Sequence, residues 1–227
     1  MGEAEGACES AKLLRDVIRH FLADYLRLVE AEAAAELDLA NLFFPPAGPG
    51  ATPEEPGELS LAAQAWSHEG EKVTILVHIL PLPLRKEEVS HRLRRQARSL
   101  GLRLGDPVLP TFLFLKGGRP GVNLETAPMS KLGGMSLIRV YYEVFGLQEI
   151  RSMYYLEKAE PVAWALAAFM SPPPAGPAAL KRACLERIRT SHLDAARRRL
   201  LAACVEARLR LTREERKKFA ALGARPR

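Results

Sequence analysis

The sequence predicts an α/β fold, a mixed sheet that begins with a hairpin and is followed by a helical subdomain. Three observations carry this reading. Two apolar stretches, Leu59–Trp66 and Lys72–Leu80, flank the short polar segment SHEGE and read as a β-hairpin. An amphipathic stretch from Arg85 to Leu104 then precedes another apolar run, which is the strand–helix–strand order of an α/β chain. After Gly146 the character changes to a series of helix-length segments.

Taken in order, Leu14, Val17, Ile18, Phe21, Leu22, Tyr25, Leu28 and Val29 recur at helical spacing, so a first helix is expected from Ala11 to Leu37. The stretch PPAGPGATPEEPG, from Pro45 to Gly57, cannot be helix or central strand, because proline lacks the donor and glycine the restraint. It is expected to be a loop. In the helix from Arg85 to Leu104, the residues Val89, Leu93, Ala97, Leu100 and Leu104 share one stripe, while Arg92, Arg94, Arg95, Arg98 and Arg103 fan over the rest. Val108–Leu115 reads as a short strand stopped by Gly117-Gly118. Ser136–Phe145 alternates as another strand. Helices are expected over Leu147–Leu156, Pro161–Met170, Ala178–Arg189, Leu193–Arg208 and Thr212–Leu222. Pro161 suits a first helical turn, and Thr212 with Glu215 has capping-box spacing. The expected organisation is a core over 1–146 and a helical subdomain over 147–227.

At 227 residues and 48% apolar content, the chain is long enough for one substantial domain with a helical extension. No run of about 18 apolar residues is present, so no membrane partner is expected. The first residues are acidic and small and lack a basic-then-apolar leader, which predicts the cytoplasm. Cys8, Cys184 and Cys204 have no metal-ligand spacing and read as reduced and structural. The net charge of +6 is uneven. Residues 1–58 hold an excess of acids, and from Lys181 onward bases dominate, including Arg197-Arg198-Arg199 and Arg216-Lys217-Lys218. Such asymmetry fits nucleic-acid contact or charge pairing between the two ends.

Several chemistries are absent. KGGRPG at 116–121 lacks the Walker spacing, no G-x-S-x-G elbow exists, and the five histidines never pair as H-x-x-x-H. His78, inside an apolar strand, reads as a core histidine, and Asp106 before Pro107 as a turn residue.

The stretches VIRHFLADYLRLVEAEAAAELDLANL, YYEVFGLQEIRSMYYLEKAEPVAWALAAFM and ALKRACLERIRTSHLDAARRRLLAACVEARLRLTREERKKF together resemble the recombination-promoting nuclease and transposase family of the PD-(D/E)XK superfamily. The resemblance implies a nuclease core of helix, three strands, helix and strand, with a helical C-terminal half. It also implies an aspartate on one hairpin strand and a Glu-x-Gln or Glu-x-Lys pair at the end of the next. Two carboxylates would there hold Mg²⁺, which polarises the phosphate and lowers the pKa of the attacking water. Where that family carries a run like IHIEVQ, this chain has VHILPL. Leu80 stands at the glutamate position, Leu82 at the glutamine or lysine position, and Leu61 or Ala62 at the aspartate position.

The expectation is therefore a catalytically inactive, nuclease-like α/β protein with no cofactor. It would bind DNA through Arg85, Lys86, Arg92, Arg95 and Arg98, with Lys116 and Arg119 at a strand-end turn. One alternative is a protein-interaction or structural module, with self-association or a protein partner. The other is an active Mg²⁺-dependent DNA endonuclease whose acids have migrated to Glu58, Glu87 or Glu88.

Overall fold

The computed structural model describes residues 2–45, 59–103, 105–132 and 135–223, and of these the side chains of 9–45, 59–103, 105–128 and 140–222. Glu58, Leu104 and most of the proline-rich stretch lie outside the described residues.

Helical spacing near the start produces three short helices rather than one long one: α1 (Gly2–His20), α2 (Leu22–Val29) and α3 (Ala31–Ala35). The second break falls at Glu30, whose backbone (φ −130°, ψ 53°) leaves the helical region. The expected hairpin forms with the expected bounds, β1 (Leu59–Trp66) pairing antiparallel with β2 (Lys72–Leu80). β1 alternates buried and more exposed positions, as a one-sided strand does, whereas β2 is buried at every residue from Thr74 to Leu80.

Helix α4 (Lys86–Ser99) follows and is shorter than its periodicity suggested, because the chain turns at Gly101 with φ +68°. β3 (Val108–Phe114) then pairs in parallel with β2. β4 (Gly121–Leu132), which the sequence did not announce, occupies the sheet edge, where Pro128 costs no ladder hydrogen bond on the solvent side. β5 (Met135–Gly146) lies between β4, antiparallel, and β3, parallel. The result is a five-stranded mixed sheet in the order β1-β2-β3-β5-β4.

The remaining helices are α5 (Ser152–Leu156), α6 (Pro161–Ala167), α7 (Pro177–Arg189), α8 (Ala195–Arg208) and α9 (Arg213–Gly223). Pro161 opens α6 as its type predicts. Asp194 caps α8 by accepting from the Arg197 N–H at 2.8 Å. At α9 the predicted capping box is present: the Thr212 N–H donates to Glu215 at 2.7 Å, and the Glu215 N–H to the Thr212 hydroxyl at 3.3 Å. Cys184 and Cys204 are free and buried, and burial pushes both thiols up to about 12.

The chain divides into two compact units. One comprises residues 29–146 and holds the sheet and α4. The other joins residues 1–28 to 147–227, with α1 packing on α8 and α6. Among the described residues, no helix is long and apolar enough to cross a membrane.

Candidate functional site

The carboxyl ends of the three mutually parallel strands lie on one line, since Leu80 of β2 is in register with Phe114 of β3, and Phe114 with Gly146 of β5. In open α/β sheets ligands gather outside such strand ends. Here that edge is built from two turns. The Leu115 N–H donates to the Leu80 carbonyl at 2.9 Å and the Lys116 N–H to the Pro81 carbonyl at 3.1 Å. Gly117 and Gly118, at φ +66° and +80°, then press the turn onto Pro83. A β-carbon at Gly118 would meet the Phe114 ring at 3.1 Å. These contacts bring Lys116 and Arg119 beside the segment that leads into Arg85 and Lys86, and all four side chains are exposed.

The position at which the resemblance expects a glutamate is not a vacant cleft. Leu80 is 2% exposed and belongs to an apolar cluster with Leu76, Val89, Leu93, Phe112 and Phe114, which α4 closes from above. Ala62 packs at the edge of the same cluster. Leu61, at the neighbouring position of β1, is buried as well. Leu82 is different, being 59% exposed just past the strand end. His78 is buried and stacks on Phe112 at 4.5 Å between ring centroids, as a core histidine does.

Of the candidate migrated acids, Glu87 and Glu88 both lie in the first turn of α4. Glu88 is engaged at the start of α4, where it accepts from the Arg85 N–H at 2.7 Å and from the Arg85 guanidinium at 3.2 Å. Those hydrogen bonds hold its carboxyl below the usual range. Glu87 is exposed in the same first turn, where its charge suits the helix dipole. Among the described residues, no group of three His, Cys, Asp or Glu is placed to hold a metal ion.

Along α4 the arginines differ. Arg94 and Arg98 are exposed, and Arg92 and Arg95 are half-buried. Arg94 is a solvent-facing base that was not among the expected contacts, although its place opposite the apolar stripe signals it. A second feature had no sequence signal at all. Glu30 and Glu143 each carry a buried carboxylate oxygen with no hydrogen-bond partner. Burial, and then the Glu143 charge, push Glu30 up to about 8, and burial raises Glu143 too.

Comparisons with protein-family models, with curated proteins and with solved structures find no match to this chain.

Proposed function

We propose that this protein is a non-cutting, nuclease-like nucleic-acid-binding protein of the PD-(D/E)XK type, whose old strand-end site now holds phosphates without a metal. The observation that carries the reading is the strand-end edge itself. Four exposed bases, Arg85, Lys86, Lys116 and Arg119, flank the place where parallel strands end, above a leucine-filled interior. Lysine and arginine at such an edge contact phosphate without reading sequence. Leucine offers no oxygen to a hard cation. The hairpin whose second strand pairs in parallel, across a helix, with the next strand also supports the resemblance. One departure stands against it: two strands rather than three precede α4 among the described residues.

The test is duplex DNA binding followed by fluorescence anisotropy over a salt series. The triple variant K86A/K116A/R119A should bind more weakly and reduce the log–log salt slope by roughly 0.9 per phosphate contact removed. Absence of wild-type binding at low salt overturns this reading in favour of an interaction module.

A further inference from the structure

The basic end of the chain carries more charge than its own packing uses. From Lys181 onward there are fifteen Lys and Arg against five Asp and Glu. Several of these bases have structural work. Arg187 lies over the Trp164 ring at 5.3 Å, Arg197 over Phe21 at 5.8 Å and Arg208 over Phe169 at 5.2 Å. Arg210 pairs with Glu9, and Arg189 with Glu186 at 2.7 Å. Arg198 and Arg199 do neither. Among the described residues their guanidinium groups reach main-chain carbonyls, Arg198 that of Arg189 at 3.5 Å and Arg199 that of Ala195 at 3.3 Å. Both stand on the rim of an open groove of about 410 Å³ between α7 and α8, whose floor includes Leu185, Ile188 and Ala202.

An aliphatic floor under a guanidinium rim suits one kind of occupant. Nucleic-acid bases find their affinity by stacking on aromatic rings, and no ring lines this groove. An amphipathic helix instead lays aliphatic side chains into such a groove and presents acids to its edge. We propose that the α7–α8 groove docks an acidic amphipathic peptide of a partner protein, with its leucine-type side chains on Leu185 and Ile188 and its carboxylates on Arg198 and Arg199. The argument is charge complementarity. Two arginines that meet no acid among the described residues flank the groove, and carboxylates placed there form charge-assisted, bidentate pairs.

The probe is a labelled synthetic helix with Leu at i, i+3, i+4 and i+7 and Glu between them, titrated into the full-length protein at low salt. Binding should weaken by about tenfold or more in R198E/R199E and also in A202W, which fills the floor while leaving every charge in place. The control R216E/K217E makes the same charge change on α9 and should stay within about twofold of wild type. Far-UV circular dichroism checks that each variant is folded. K86A/K116A/R119A should bind the peptide as wild type does, so failure here and failure of the DNA reading are separable. The proposal is overturned by absence of peptide binding, by an equal loss in R216E/K217E, or by an unchanged affinity in A202W. It is also overturned by an oligothymidylate that competes for the groove and is lost with R198E/R199E, which would make the groove a nucleic-acid site.

Discussion

At the scale of single residues, Leu80 decides the character of the strand end. Its side chain contributes on the order of 1.5–3 kcal/mol by leaving water, and its neighbours Leu76, Phe112, Phe114 and Leu93 are all apolar. A glutamate there would be set among these apolar side chains. It must take up a proton or destabilise the fold. The double change Leu80→Glu with Leu82→Gln should therefore lower the thermal midpoint and restore no cutting, while Leu82→Gln alone, at an exposed site, should shift stability by less than about 0.5 kcal/mol. Stabilisation of the double variant by Mg²⁺ in a thermal melt would show instead an open, polar cleft. Glu30 makes the opposite case, a carboxyl retained where water is scarce. Its pKa in the folded protein, about 8, lies above its ordinary value of 4.5, so folding favours the neutral acid. This stability is fully present below pH 4.5 and is lost as pH rises through about 8. Urea midpoints should fall between pH 5.5 and 8.5 in wild type and fall less in Glu30→Gln. An equal slope in both would remove Glu30 as the cause.

At the scale of elements, the strand ends depend on close backbone approach. Gly146, the last residue of β5, leaves no room for a side chain, because a β-carbon would sit 2.3 Å from the Arg119 carbonyl oxygen. Gly146→Ala must push the β3–β4 turn outward, at a cost of about 1–3 kcal/mol from overpacking. Differential scanning calorimetry should show the lower midpoint, and an unchanged one would mean that the turn yields freely. Helix α4 poses a second question, because its bases are not equivalent. Arg94 and Arg98 face solvent, whereas Arg92 and Arg95 are half-buried. Arg94→Ala with Arg98→Ala should weaken DNA binding with little change in melting. Arg92→Ala with Arg95→Ala should also lower the melting temperature. A double-mutant comparison of affinity and melting separates the two roles.

For the whole molecule, the apolar side chains that fill the strand end, Leu61 and Leu80 with their neighbours, predict how the protein treats DNA. Supercoiled plasmid incubated with Mg²⁺ or Mn²⁺ should remain uncut. Nicking that disappears in Glu87→Gln would return the chain to the active endonucleases. The division into units adds a constraint of its own: the chain leaves the helical unit at residue 28 and returns at 147, so the sheet unit is an insertion between α1–α2 and α5. Inside the helical unit one ion pair, Glu9 with Arg210, links the start of the sequence to its basic end. Most of the acid excess of residues 1–58 lies at residues 29–58, in the sheet unit.

The local elements were legible in the sequence wherever one physical preference was strong. The hairpin β1–β2 followed from two apolar runs around a polar turn, and the caps of α6 and α9 from Pro161, Thr212 and Glu215. Each is settled by groups a few residues apart. β4 was not legible, because its alternation is weak and its Pro128 argues against a strand until the edge position is known. Nor was the break at Glu30, where apolar periodicity continues through a backbone that leaves the helix. The sequence by itself determined the α/β class, the apolar residues at the strand end and the surplus of bases. Only the tertiary structure decided that Leu80 is interior and Leu82 is not, that Lys116 and Arg119 stand beside Arg85 and Lys86, and that Glu30 shares a buried environment with Glu143. Burial and proximity of residues distant in sequence are set by how strands and helices stack, and no local preference encodes them.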